Sequence, residues 1–196
     1  IQIRLVGSEM CIRDSMKAAS DNLVPVTLEL GGKSPVIVDE NADLSDVAKK
    51  VMRGKTMNAG QICLAPDYLM LPKGKSEEFA KASNEAISEM FADLKYNEDY
   101  TSVINERHYE RINELVSDAK EKGAEVIQIN PADEDFEQQE LHKIPPTLVL
   151  NPTDEMKIMQ EEIFGPVLPV KEYEDFDETV NYCLLYTSPS PRDGSE

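Results

Sequence analysis

The chain has 196 residues, of which 40% are apolar and 30% are charged, and its formal net charge is −18. This length allows one domain with a sizeable hydrophobic core. The acidity argues against nucleic acid and against an anionic membrane surface, because both are met by basic groups. No apolar run approaches the ~20 residues of a membrane-spanning helix, and the sequence opens without the apolar segment of a signal peptide. We therefore expect a cytoplasmic protein whose partners are neither nucleic acid nor membrane.

The two ends of the chain are related through DNA that could encode them. Residues 10–15 read MCIRDS, which can be written as ATG TGT ATA AGA GAC AG. The reverse complement of that DNA, read one base along, encodes CLLYT, the residues at 183–187. Residues 5–9 and 188–193 are related in the same way, so both ends resemble a translated transposase adapter from a sequencing library. We expect residues 1–15 and 183–196 to be adapter-derived and leave them out of the fold prediction.

The remaining sequence alternates strand patterns with amphipathic helices. The helix pattern at 16–22 has lost its start to the adapter, and Asn105, Ser76 and Asp154 are expected to cap later helices, as are the residues at 41–43. Strands are predicted at 25–30, 35–38, 68–71, 124–129, 146–150 and 167–170, and the other helices at 41–57, 76–91, 105–122, 154–160 and 175–181. The alternation indicates an α/β fold with a mostly parallel sheet and flanking helices.

Two residues of the remaining sequence are candidates for covalent catalysis. Cys63 is its one cysteine, because Cys11 and Cys183 fall in the excluded ends. A single cysteine in an intracellular enzyme is a candidate nucleophile. Glu29 lies in an apolar strand that ends in two glycines and could serve as a general base. Backbone N–H groups of the turn before Cys63 could stabilise a thiolate or an oxyanion. The residues alone leave open a packed core thiol at 63 and a solvated carboxylate at 29.

Three segments resemble the downstream signatures of the aldehyde dehydrogenase superfamily, in the same order. They are VTLELGGKSP at 26–35, NAGQICLAPDYL at 58–69 and MQEEIFGPVLP at 159–169. The letters APDY after the cysteine and LP after FGP resemble the branch that includes coniferyl aldehyde dehydrogenases and fatty or aromatic aldehyde dehydrogenases. The resemblance implies an enzyme that oxidises an aldehyde to a carboxylic acid with NAD or NADP.

The resemblance also assigns roles to single residues. Cys63 matches the nucleophile, which forms a thiohemiacetal and then a thioester, and Glu29 matches the base that activates water. Glu162 and Phe164 match the pair that holds the nicotinamide end of the cofactor, since a carboxylate accepts from vicinal hydroxyls and an aromatic face suits a flat ring. The backbone at 30–31 matches a segment close to the nicotinamide, where Leu30 is followed by Gly31.

The same resemblance divides the chain. Residues 16–34 match the end of the cofactor-binding domain and its crossover, and residues 35–182 match part of the catalytic domain. The family's nucleotide-binding strand, glycine loop and helix are expected before Met16. We therefore expect the fragment to be inactive by itself and its full-length parent to be a homodimer or homotetramer.

Three other functions share parts of this pattern. A CoA-acylating relative would use a thiol in place of water, against which Glu29 argues. A thiol hydrolase would need a histidine near Cys63, and the sequence has none close to it. A structural or binding homologue would be catalytically silent, against which the presence of the signature residues argues. His108 and His142 sit in polar surroundings without a ligand cluster, so no metal site is expected. Lys33 lies beside the two glycines and is expected to have a structural role in the chain turn that they form.

Overall fold

The computed structural model describes residues 4–5, 9–28, 31–137 and 140–184. The chain divides into a small unit, Ile1–Gly31, and a larger unit, Gly32–Glu196. In the small unit, helix α1 (Glu9–Asp21) connects two short parallel strands, β1 (Arg4–Leu5) and β2 (Thr27–Leu28). Helix α1 thus begins within the segment that we excluded, while its end agrees with the helix predicted at 16–22.

The larger unit is built on a five-stranded sheet whose order is β3-β4-β7-β6-β5. Its strands are β3 (Pro35–Ile37), β4 (Tyr68–Pro72), β5 (Glu125–Gln128), β6 (Thr147–Leu150) and β7 (Val167–Tyr173). Neighbouring strands are parallel except for the edge strand β5, which runs antiparallel to β6. The predicted α/β fold with a mostly parallel sheet is confirmed.

Helices cover both faces of this sheet. They are α2 (Leu44–Thr56), α3 (Ser76–Met90), α4 (Glu106–Glu121), the single turn α5 (Lys157–Gln160) and α6 (Phe176–Leu184). Successive residues of a strand point to opposite faces, and β4 follows this rule. Leu69 and Leu71 belong to the core cluster that includes α2 and α3, while Tyr68 and Met70 belong to the cluster that includes α4. Both faces of the central strands are therefore buried, as parallel sheets require.

Two of the predicted helix caps form and two do not. The Asp43 carboxylate accepts from Ser45 N at 2.9 Å, and the Asn105 side chain accepts from His108 N at 3.1 Å. The caps predicted at Ser76 and Asp154 are wrong. The Ser76 hydroxyl instead donates to Glu172 at 2.7 Å, and the Asp154 carboxylate accepts from Lys171 at 2.7 Å. In both cases a charged partner on β7 competes successfully with the local cap.

Among the described residues, no helix combines the length and the apolar character needed to cross a membrane.

Candidate active site

Three chain segments meet at one edge of the sheet. Residues 32–34 precede β3, residues 57–67 precede β4 and residues 158–166 precede β7. These strands are parallel neighbours, with Pro35 opposite Tyr68 and Leu69 opposite Val170. Their amino-terminal ends therefore lie at the same edge, where residues 32–34, the end of the first signature segment, meet the other two signature segments.

The turn before Cys63 has an uncommon backbone. Asn58, Ala59 and Gly60 have φ values of 50°, 50° and 71°, so three successive residues adopt the left-handed conformation. Such a conformation costs a non-glycine residue about 1–2 kcal/mol, and strain of this kind is concentrated at functional sites. The turn follows helix α2 directly and brings Cys63 to the surface, where the residue is exposed. The alternative of a packed core thiol at this position is wrong.

Hydrogen bonds fix the backbone on both sides of Cys63. The Gln61 side chain donates to Asn58 O and Ser102 O, both at 3.0 Å, and accepts from Ile104 N at 2.9 Å. On the other side, the Ser34 hydroxyl donates to Cys63 O at 3.1 Å. The nucleophile candidate thus combines an exposed position with a restrained main chain.

The cysteine turn touches the segment at 162–166 through two glycines. A Cβ atom built on Gly60 would lie 2.3 Å from the carbonyl oxygen of Gly165. This distance is shorter than any non-bonded contact, so the two backbones can approach only because residue 60 has no side chain. The close approach brings the cysteine turn into contact with the segment that carries Glu162 and Phe164.

Glu162 and Phe164 lie in a segment that helix α4 holds in place. Arg111 donates to Ile163 O at 2.6 Å and to Glu162 O at 3.3 Å. Partial burial raises the pKa of Glu162, an effect opposed by a backbone hydrogen bond from Gly32. Phe164 has a φ of 47° and remains 37% exposed although it is a large aromatic residue. The segment therefore presents a half-buried carboxylate and an accessible ring beside the cysteine turn.

Two buried charged residues lie behind these loops. Lys33 and Asp67 form an ion pair whose side chains are each 5% exposed. Lys33 also donates to Ile158 O at 3.0 Å and to Glu161 O at 2.8 Å, while the other Asp67 oxygen accepts from Ile163 N at 2.9 Å. We predicted a structural role for Lys33 within its own turn. Its hydrogen-bond partners instead belong to two other segments, far from residue 33 in the sequence. Asp67 was missed, although it lies in the APDY letters, because a sequence does not show which carboxylate is buried.

A third buried charge sits under the cysteine turn. Lys55 is 1% exposed and donates to Pro66 O at 2.8 Å. Burial lowers the pKa of Lys55 to about 8, against the opposing effect of the Asp67 carboxylate. Lys55 follows Val51 and Met52 by four and three residues, so the helical spacing of α2 places it on the buried face of the helix. The sequence analysis missed this residue because it considered only the apolar positions of that face.

Some predicted site residues are not tested by these contacts. Glu29 and Leu30 lie outside the described residues. Gly31 belongs to the small unit, where it is exposed and has a φ of 78°. Over the described ranges, no group of three or more His, Cys, Asp or Glu residues is arranged to hold a metal ion.

Comparison with known sequences points to one family. The family model described as "Aldehyde dehydrogenase family" matches residues 2–183. A "Probable coniferyl aldehyde dehydrogenase" from Caulobacter vibrioides is 57% identical over 93% of this chain and 38% of its own length. A "Coniferyl aldehyde dehydrogenase" from a Pseudomonas species is 51% identical over 90% of this chain and 37% of its own length. The chain therefore spans less than two fifths of these relatives.

Solved structures agree with the sequence comparison. The substrate-bound state of Staphylococcus aureus AldH superposes with a TM-score of 0.82 and 34% identity, covering 96% of this chain and 40% of that one. A Staphylococcus aureus betaine aldehyde dehydrogenase in complex with NAD+ gives a TM-score of 0.76 and 27% identity, covering 93% and 36%.

Proposed function

Because the chain belongs to the aldehyde dehydrogenase family, we propose that the full-length protein oxidises an aldehyde to a carboxylic acid with NAD+ or NADP+. The family match confirms the resemblance drawn from the three signature segments. One observation carries the proposal. The exposed Cys63 lies on a strained, hydrogen-bonded turn in backbone contact with the segment of Glu162 and Phe164.

Cys63 performs the first step of the proposed reaction. Its thiolate adds to the carbonyl carbon of the aldehyde, and the former carbonyl oxygen takes the negative charge. The backbone N–H of Cys63 is a donor for this oxyanion, and the bonds made by Gln61 and Ser34 hold the donor in position. The product of this addition is a thiohemiacetal on the enzyme.

The residues around Glu162 fit a nicotinamide cofactor. A half-buried carboxylate can accept hydrogen bonds from two vicinal ribose hydroxyls, and the exposed ring of Phe164 offers a flat apolar face to the nicotinamide. A nicotinamide held by these residues would supply the acceptor for the hydride that the thiohemiacetal loses on becoming a thioester. Arg111 contributes by fixing the carbonyls of residues 162 and 163.

Glu29 completes the proposed cycle as the base that removes a proton from water. The water then attacks the thioester, which releases the acid and frees Cys63. This role rests on the sequence signature at 26–35, as do the roles of Leu30 and Gly31 at the nicotinamide. A base at position 29 favours hydrolysis over the CoA-acylating alternative.

We propose an aromatic aldehyde of the coniferyl type as the first substrate to test. The two relatives described above carry that activity in their names and are 57% and 51% identical to this chain. NAD+ and NADP+ should be assayed side by side, because the residues that contact the adenosine end are expected upstream of Met16.

Replacing the nucleophile tests the assignment. In the full-length protein, Cys63→Ala should abolish aldehyde-dependent formation of NAD(P)H, since no thiol remains to form the thioester. The residue is exposed, so the melting temperature should stay at the wild-type value. Turnover at the wild-type rate in the variant would contradict the assignment, and absence of turnover in the wild type with all aldehydes would contradict the proposed function.

The remaining expectations belong to the same proposal. The full-length protein is proposed to be cytoplasmic, to form a homodimer or homotetramer, and to have no nucleic-acid or membrane partner. Residues 16–34 and 35–182 are proposed as parts of the cofactor-binding and catalytic domains. The adapter origin of 1–15 and 183–196 is tested by resequencing the gene. We also expect that the isolated chain does not bind NAD(P)+ measurably, and micromolar binding in a calorimetric titration would contradict this.

A further inference from the structure

Lys33 and Asp67 form a buried ion pair just before the strands β3 and β4. Each side chain is 5% exposed. Removing two charges from water costs free energy that their attraction often fails to recover, and apolar residues of similar volume frequently serve a core as well or better. The role of a buried pair is therefore better sought in the groups that it holds in place.

The hydrogen bonds of the pair enclose Glu162. A lysine ammonium has three donors, and those of Lys33 reach Asp67, Ile158 O and Glu161 O. The second Asp67 oxygen accepts from Ile163 N at 2.9 Å. The pair thus binds the carbonyl of the residue before Glu162 and the N–H of the residue after it.

Hydrogen bonds also connect the same pair to the segment around Cys63. Ser34, the neighbour of Lys33, donates its hydroxyl to Cys63 O at 3.1 Å. Asp67 lies on the loop that leads from Cys63 into β4, and its own N–H donates to Ser34 O at 2.8 Å. Both members of the pair therefore share a backbone frame with the nucleophile.

We propose that Lys33 and Asp67 are positioning residues that fix the backbone around Glu162 relative to the Cys63 loop and thereby set the affinity for the nicotinamide cofactor. The proposal rests on the proposed function and adds to it a residue pair that touches neither substrate nor cofactor. A displacement of about 1 Å between groups that must act together can cost a hundredfold in rate. Removing the pair should affect cofactor binding first, because the cysteine turn keeps its separate bonds from Gln61.

The conservative test is Asp67→Asn in the full-length protein. The amide oxygen can still accept from Ile163 N, but the charge that holds Lys33 against Ile158 O and Glu161 O is gone. We expect the Kd and KM for NAD(P)+ to rise about tenfold, the scale of one hydrogen bond to a charged group. The KM for the aldehyde and the rate at which iodoacetamide alkylates Cys63 without cofactor should keep their wild-type values.

A double variant separates positioning from folding. Lys33→Met with Asp67→Leu removes both charges and leaves an apolar contact, so its melting temperature should return toward that of the wild type. Its Kd for NAD(P)+ should remain raised. A double variant with wild-type stability and wild-type cofactor affinity would reduce the pair to a structural role and overturn the proposal, as would an unchanged Kd in Asp67→Asn.

A second buried lysine provides the matched control. Lys143 is 7% exposed and donates to Asn97 O and Tyr100 O, two carbonyl oxygens outside the three signature segments. Lys143→Met should lower the melting temperature and leave the Kd for NAD(P)+ unchanged, and an equal rise in Kd in this variant would count against a specific role for the pair.

Calorimetry with NAD(P)+ keeps the two proposals distinguishable. A wild-type protein that binds NAD(P)+ but oxidises no aldehyde would contradict the proposed function, while the comparison of Kd values would still decide the role of the pair. Wild-type turnover together with unchanged Kd values in Asp67→Asn and in the double variant would contradict the positioning role alone.

Discussion

Cys63 combines an exposed side chain with a main chain that is bonded on both sides. Gln61 fixes the turn that leads to it, and Ser34 donates to its carbonyl oxygen. A nucleophile must meet substrate at the surface, yet its N–H must point in a constant direction to serve as an oxyanion donor. At the scale of single residues, these hydrogen bonds reconcile the two requirements.

The proposed base can be tested separately from the nucleophile. In the full-length protein, Glu29→Gln should keep a pre-steady-state burst of NAD(P)H, because the thioester forms without a base, and should slow steady-state turnover by about 10²–10⁴-fold. Stopped-flow absorbance measures both phases. Glu40→Gln, at an exposed glutamate after β3, is the control and should leave both phases unchanged. A variant that loses the burst, or one that turns over like the wild type, would rule out this role for Glu29.

At the scale of elements, the site depends on two loops that approach each other at glycines. The carbonyl oxygen of Gly165 occupies the space where residue 60 would carry a Cβ atom. A substitution at position 60 therefore changes how the loop before β4 meets the loop before β7.

Gly60→Ala tests this approach, with Gly74→Ala as the matched control. Both glycines have positive φ values, 71° and 79°, but a Cβ at position 74 would meet no atom within 4 Å. The control should lose about 1–2 kcal/mol of unfolding free energy through backbone strain alone. Gly60→Ala should lose clearly more and should also lose dehydrogenase activity, as measured by urea unfolding and by NAD(P)H formation. Equal losses of unfolding free energy in the two variants would show that the contact with Gly165 is unimportant.

At the scale of the whole molecule, Lys55 links stability to pH. Burial lowers its pKa from 10.5 in the unfolded chain to about 8 in the folded one. Below pH 8 both states carry the proton, and the folded state bears the full cost of a buried charge. Between pH 8 and 10.5 the unfolded state binds a proton that the folded state does not, so the free energy of unfolding rises with pH.

Comparison with Lys55→Met isolates this effect. Relative to the variant, the wild-type protein should gain about 3 kcal/mol of unfolding free energy as the pH rises through this window, at about 1.4 kcal/mol per pKa unit. Urea unfolding of both proteins at a series of pH values measures the difference. Lys120→Met, at an exposed lysine of α4, is the control. Parallel curves for the wild type and Lys55→Met would contradict the linkage.

The sequence predicts the layers of this molecule better than the contacts between them. Periodicity and the cap at Asp43 were enough to predict helix α2, because both signals are local. Ser76 and Asp154 carry the same kind of signal, but long-range partners on β7 take their side chains. Cys63 and Glu162 are proposed from signature segments, and their roles stay predictions. Lys33 and Asp67 could not be predicted as buried, since their burial depends on neighbours far away in the chain. Lys55 could have been found, because it continues the apolar face of α2.

The long sequence separation between Lys33 and its acceptors also affects the stage of folding at which the site can form. Its acceptors Ile158 O and Glu161 O lie 125 and 128 residues along the chain, and Tyr173 OH reaches Val38 O across 135 residues. Contacts of such separation form late, because a long loop must close before they contribute. During synthesis from the N-terminus, the cysteine turn leaves the ribosome well before the segment around Glu162 exists. We therefore expect the contacts between Lys33 and the segment before β7 to be among the last to form during folding.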